Sequence, residues 1–263
     1  MTDSRAPIRV HAYATSIADS LGYLGQEAVS RAMEEHTGYR LIGGQMVRLL
    51  HLAFPAPRAA LRSTLDADAA VEGVEVIGQV SEHLQLDGFR KVKANAFLKT
   101  VADDQEVEIN LLLPRSDSTL GVRATVVDGL GHVDTLSELT FVLSVSPVTL
   151  EVHAELLDGT TLSYRVLVPT VEMATILKAH SWHNRRSEND LADLSTLLEI
   201  REEHPALPWL LDERALRGRR LDTARFLRDL SRKITRRTFS GPVPRHVDRY
   251  RFAALIAKHI GTP

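Results

Sequence analysis

The chain has no cysteine. That excludes a disulfide framework and any zinc site built on thiolates, and it suits a reducing compartment. No run of ~18 apolar residues occurs, so no membrane-spanning helix is expected. The N-terminal stretch MTDSRAPIRVHAYATS lacks the long apolar segment and the small-residue cleavage pattern of a signal peptide. Together these absences predict a cytoplasmic location. A Walker loop and a G-x-S-x-G elbow are also missing. Eleven histidines are present, but no pair of them has carboxylate company at metal-ligand spacing. His180 and His183 would share a helix face, yet Ser181–Asn189 reads as leaving the helix, so no zinc site is expected.

What is there is an ordinary globular composition, 44% hydrophobic and 25% charged over 263 residues. Such a chain is long enough for one large domain or two small ones. The net charge of −2 hides an asymmetry. Between Arg214 and Lys258 there are fourteen Lys/Arg residues against Asp222, Asp229 and Asp248. A basic C-terminal block on an acidic body suits a polyanionic partner such as nucleic acid, although scattered arginines also serve as a solvated helix surface.

Periodicity divides the chain near Pro169. Before it, residues 16–36 read as a helix weakened by Gly22 and Gly25, and Tyr39–Ile42 as a short strand. Gln45–Phe54 follows helical spacing, and Thr64–Val71 alternates as a strand. A helix is expected over Val80–Asp87, then strands over Lys91–Val101 and Glu106–Leu113 with a turn at Asp103–Asp104. Val122–Val127, Glu138–Val145, Val148–Leu156 and Thr161–Val168 are rich in strand formers, the last two joined by the hairpin pair Asp158–Gly159. After Pro169, helices are expected over Val171–Ser181, Glu188–Glu203, Leu207–Leu216, Leu221–Ile234 and Val247–Ile260. The reading is an α/β (α+β) protein, with a mixed-sheet core over residues 1–169 and a basic helical domain over 170–263.

The chemistry concentrates in LIGGQMVRLLHLAFPAPRAALRSTLDADAAV. A strand ends on Gly43–Gly44, a helix follows, and a second strand carries Asp66-x-Asp68. Two glycines let backbone approach a ligand closely. The helix start offers unpaired N–H groups and a positive dipole end, which suit phosphate. Asp66 and Asp68 emerge on one strand face, where they would repel unless a divalent cation such as Mg2+ lay between them. Taken singly, the glycine pair is also a common turn and the acidic pair a common solvated strand edge. Their order and spacing make the combined pattern informative.

The segment from Gly43–Gly44 through Arg62-Ser63-Thr64-Leu65-Asp66-Ala67-Asp68 resembles minimal nucleotidyltransferases of the polymerase-beta superfamily. More narrowly it resembles the AbiEii/MenT-type toxins. ATILKAHSWHNRRSENDLADLSTLLE is similar to that group's lysine-bearing helix, arginine-rich turn and Asp-x-x-Asp-Leu helix, here Lys178, then Asp190, Asp193 and Leu194. The resemblance runs from about residue 39 to 200. It implies a Mg-dependent transfer of a nucleotidyl group from an NTP to an acceptor hydroxyl. Asp66 and Asp68 would hold one or two Mg2+ ions. Gly43, Gly44, Arg62, Ser63 and Thr64 would hold the nucleotide, although Ser63 and Thr64 serve equally as strand caps. Lys178 would contact the triphosphate, and Asp190 would orient that lysine or the attacking hydroxyl. The implied setting is a toxin–antitoxin system with tRNA as favoured acceptor, carried by the basic C-terminal helices, and a cognate antitoxin as partner. Arg185 and Arg186, with His180 and His183, are further candidates for phosphate.

One position departs from the pattern. Relatives carry a third aspartate where EVEINLLLP places Asn110, and an amide supplies neither negative charge nor a base. Glu106 and Glu108 share its strand face. Glu108 lies ~6–7 Å along the strand and is the nearest substitute, if it is more than surface charge. A site using Glu108, a slower site on two aspartates, and an inactive nucleotide-binding relative all stay open. So does transfer to a protein hydroxyl.

Overall fold

The computed structural model describes residues 6–102, 105–117, 119, 121–128 and 130–263. The turn expected at Asp103–Asp104 lies outside them. The described residues form ten strands and eight helices in two units. The first comprises the chain up to Ala53 together with Ser63–Pro169, and the second comprises Phe54–Arg62 with Thr170–Pro263.

The first unit carries all the strands. β1 (Ile8–Tyr13), β9 (Val148–Glu155) and β10 (Thr161–Val168) make a three-stranded sheet, β1 parallel to β9 and β10 antiparallel to it. The larger sheet runs β2 (Tyr39–Ile42), β3 (Ala67–Val71), β6 (Gln105–Pro114), β5 (Ala96–Ala102), β4 (Arg90–Lys93). β7 (Arg123–Val127) and β8 (Gly131–Leu136) form a hairpin, and β8 joins the end of β6. The sheet is mixed: β3 is antiparallel to β2 but parallel to β6. On β6 the alternation is clean. Val107, Ile109, Leu111 and Leu113 are buried, while Glu106, Glu108, Asn110 and Leu112 lie half-buried on the other face.

Helices α1 (Ile17–Ala32), α2 (Gly43–Ala53), α3 (Val74–Leu86) and α4 (Leu139–Leu143) belong to this unit. Ser16 caps α1, its hydroxyl accepting from the Asp19 amide. Gly22 and Gly25 do not break α1. They let it lie against the site: a Cβ on Gly22 would collide with the Gln45 amide and the Thr64 carbonyl, and one on Gly25 would stand 2.9 Å from Ala67 Cβ. On α2, Met46, Leu49 and Leu50 are fully buried, and truncating any one to Ala would cost about 2–5 kcal/mol.

The second unit holds α5 (Val171–Arg185), α6 (Glu188–Glu203), α7 (Gly218–Ile234) and α8 (Arg249–His259). Thr170 caps α5, and Asp248 caps α8 through the amides of Tyr250 and Arg251. No helix among the described residues is long and apolar enough to cross a membrane.

Several elements differ from expectation. Glu138–Val145 holds the short helix α4 rather than a strand, because burying Leu139 and Val142 on one side overrides strand propensity. Leu207–Leu216 is irregular. Pro208 has no N–H, and the neighbouring backbone is claimed by tertiary partners: the Leu210 amide donates to Glu172 and the Leu211 carbonyl accepts from Gly261. α5 continues through Arg185, past the expected stop, because Trp182 is buried at helical spacing. Lys91–Val101 splits into the hairpin β4–β5. Strands β1 and β8 were not anticipated. β3 begins at Ala67, so Asp66 stands just ahead of the strand rather than within it.

Candidate functional site

The register of the large sheet sets Asp68 between two elements. Its backbone pairs with Ile42 on β2 and with Asn110 on β6. Ile42 is followed at once by Gly43, which opens α2 with φ +72°, a left-handed conformation that glycine adopts without strain. A Cβ at Gly43 would stand 2.5 Å from Asp68 Oδ2. The carboxylate therefore occupies the space that the glycine leaves open, beside the start of an 11-residue helix with no acid in its first turn.

Asn110 lies across from Asp68. Its Nδ2 donates to Asp68 Oδ1 at 3.3 Å and to Glu108 Oε1 at 3.1 Å. The amide bridges the two acids and offsets their mutual repulsion by hydrogen bonding. Asp66 is half-buried and accepts from Thr64 Oγ1 at 3.0 Å. Ser63 is tied to α1 through the Ser16 hydroxyl at 3.1 Å and contributes a hydrogen bond to Asp19.

A buried chain of side chains fixes this geometry. Tyr164 OH donates to Gln26 Oε1 at 2.8 Å, Gln26 Nε2 to Gln45 Oε1 at 2.7 Å, and Gln45 Nε2 to the Thr64 carbonyl at 2.7 Å. It thereby ties the first turn of α2 to the loop carrying Asp66. Burial also pushes the Tyr164 phenol well above its ordinary range, so it stays a proton donor. One turn further on, Arg48 is buried against Asp19 at 3.0 Å and donates to Tyr23 OH at 2.7 Å. Neither Gln45 nor Arg48 was singled out from the sequence. The available signal was two polar residues within the apolar run of α2, where a buried side chain must find partners.

The residues fit a magnesium ion in one particular sense. Among the described residues, no three His, Cys, Asp or Glu side chains converge as a metal cage. Asp68 with its neighbour Glu108, and Asp66 two residues before, offer hard oxygen donors of modest number, while Asn110 turns its amide nitrogen to Asp68 and Glu108 and would have to flip to offer its oxygen. Magnesium is commonly held by one or two carboxylates, its remaining positions going to water and substrate phosphates. Bound there, it would supply electrostatic stabilisation of a phosphoryl group.

The second unit assembles a different cluster. Lys178 Nζ lies 2.7 Å from Asp193 Oδ2 and 3.7 Å from Asp190 Oδ1. Arg62 grips both Asp193 oxygens at 2.8 and 2.9 Å, and Arg185 grips both Asp190 oxygens at 2.6 and 2.8 Å. The side chains of Lys178, Asp190 and Asp193 are at most 5% exposed, so the ion pairs are strongly coupled and hold the ammonium in one place. Asp193, rather than Asp190, is the closer carboxylate to the lysine. The structure thus gathers Gly43, Asp68, Asn110 and Glu108 in one unit, and Arg62, Lys178, Asp190 and Asp193 in the other.

The chain is similar to a solved antigenic nucleotidyltransferase-like protein from Paracoccidioides brasiliensis, at 14% identity and a TM-score of 0.49, with 93% of this chain and 95% of that chain covered. No family model matches the sequence, and no curated protein matches it.

Proposed function

We propose that the protein is a Mg-dependent nucleotidyltransferase. It would move a nucleotidyl group from an NTP to an acceptor hydroxyl and release pyrophosphate. The observation that carries this is the seating of Asp68 against the left-handed Gly43 at the start of α2. That arrangement sets a carboxylate beside a phosphate-receptive helix start, as metal-assisted phosphoryl chemistry requires. In this reading Asp66 and Asp68 hold the cation, with Glu108 or Asn110 as a further oxygen donor. Gly43, Gly44, Ser63 and Thr64 border the nucleotide. Lys178 and Arg62 supply positive charge for the triphosphate, and Asp190 and Asp193 hold them in place.

RNA is the proposed acceptor, tRNA in particular, because the C-terminal unit is so basic. A toxin of the AbiEii/MenT type, acting in the cytoplasm and restrained by an antitoxin, is the biological setting that the sequence resemblance implies. Incubation with each labelled NTP, Mg2+ and total tRNA or protein tests the reading. A labelled RNA band lost in Asp66→Ala supports it, and no labelled band under any nucleotide contradicts it. A second reading, nucleotide binding without transfer, is favoured by one observation: Asn110 occupies the position paired with Asp68. Mg-NTP binding with no incorporation would select it.

A further inference from the structure

Part of the helical unit's positive charge converges on one cavity of about 480 Å³, within the size range of small-molecule sites. Its walls include Arg186, Lys233, Arg236, Thr238, Phe239 and Ser240. Three features distinguish it from scattered surface arginines. Arg186 caps α5 with φ 53°, and it is the one non-glycine with positive φ among the described residues. Such a conformation costs free energy and clusters at functional positions. Arg186 lines the cavity, and its guanidinium lies over the Trp182 ring at 5.8 Å. Arg186 and Arg236 are exposed and have no carboxylate partner among the described residues. Among the described residues Lys233 pairs with Asp229 alone, one helical turn away at 2.6 Å, and such a surface pair is weak and easily exchanged for another anion. Finally, the half-buried Phe239 ring lines the cavity with its edge close to Gly241, where a Cβ would stand 2.5 Å from it. The local field is felt nearby: burial, then the charges of Arg186, His180 and Lys233, hold His183 below its ordinary value, with Asp229 opposing them.

We propose that this cavity binds one nucleotide of a single-stranded RNA segment, the phosphate on Arg186, Lys233 and Arg236 and the base on the Phe239 ring. Cations that track a backbone beside an aromatic face are how proteins hold single strands with little sequence preference. The inference rests on the RNA-acceptor reading and assigns the place where the strand is gripped.

The test is binding of a fluorescein-labelled uridine 12-mer and of total tRNA across a salt series, read by anisotropy. Arg236→Ala and Lys233→Ala should each lower the slope of log affinity against log salt by about 0.7, the value of one lost phosphate contact. Phe239→Leu, which keeps an apolar side chain on Gly241, should weaken binding about tenfold with the slope unchanged. Arg249→Ala, outside the cavity, controls for general surface charge and should change both less. Unchanged affinity and slope in the cavity variants would overturn the proposal. So would loss of NTP binding with RNA binding intact, which would make the cavity a mononucleotide site. The two readings fail separately. Cavity-dependent RNA binding without nucleotidyl transfer keeps this inference and sinks the enzyme. Transfer with cavity-independent RNA binding does the reverse.

Discussion

Gly43→Ala perturbs the site through a single methyl group. At φ +72° an alanine pays about 1–2 kcal/mol for the left-handed backbone alone. Its Cβ would also stand 2.5 Å from Asp68 Oδ2, well inside the ~3.5 Å of an ordinary contact. The carboxylate must then swing away and lose the Asn110 hydrogen bond, about 0.5–1 kcal/mol for a half-exposed charged pair. The expected loss is roughly 2–3 kcal/mol, a fall in the midpoint of thermal unfolding of about 4–12 °C for a unit of this size. Nucleotidyl transfer should drop further than stability explains, because Asp68 no longer faces the turn. Gly78→Ala is the internal control. Gly78 lies inside α3 with nothing within 4 Å of an added Cβ, so alanine should stabilise by about 0.5–1 kcal/mol and leave transfer unchanged. Urea titration and labelled-NTP incorporation on the same preparations read both quantities. A Gly43→Ala protein as stable and as active as the parent would mean that Asp68 does not depend on the space beside Gly43.

Three further outcomes follow from the same geometry. Asn110→Asp replaces the bridging amide by a third acid beside Asp68 and Glu108, so thermal stability should fall without metal and rise steeply with added Mg2+; calorimetry with and without Mg2+ shows it. Lys178→Met leaves Asp193 and Asp190 with one arginine each, which should cost about 1–3 kcal/mol in urea unfolding. Asp19 titrates below its ordinary 3.8: burial raises it, but hydrogen bonds from Thr15 and Ser63 and the Arg48 charge outweigh burial. The unfolded chain therefore takes up this proton first, so the stability Asp19 lends is whole above about pH 4 and is lost as pH falls through the folded value. Asp19→Asn should flatten that acid limb in unfolding curves taken at successive pH values.

The α+β class was legible because period-2 and period-3.6 stretches segregate along the chain. Tyr39–Ile42 and Thr161–Val168 match the observed strands to the residue, since both are short and bounded by turn chemistry or an adjoining helix. The meeting of Gly43 with Asp68 was legible for the same reason. Strand, Gly43 and Asp68 are consecutive parts of one β–α–β run, so local order predicts their meeting. What escaped is non-local. Gly22 and Gly25 read as helix weaknesses, and only the packed structure shows what lies against them. The chain Tyr164–Gln26–Gln45 links residues far apart in sequence, and no periodicity announces such a partnership. Residues 207–216 look helical by spacing, but the Leu210 amide and the Leu211 carbonyl go to Glu172 and Gly261 instead. Asp66 shows how a boundary of a few residues matters. Thr64 gives its carbonyl and hydroxyl to side-chain partners, so β3 starts later than alternation suggests.

The most direct measurement is calorimetric titration of NTP into the parent protein and into Asp68→Asn, each with Mg2+ and with EDTA. Binding to the parent should require Mg2+, and the variant should bind weakly with no gain from Mg2+. Equal, metal-independent binding by both proteins would contradict this.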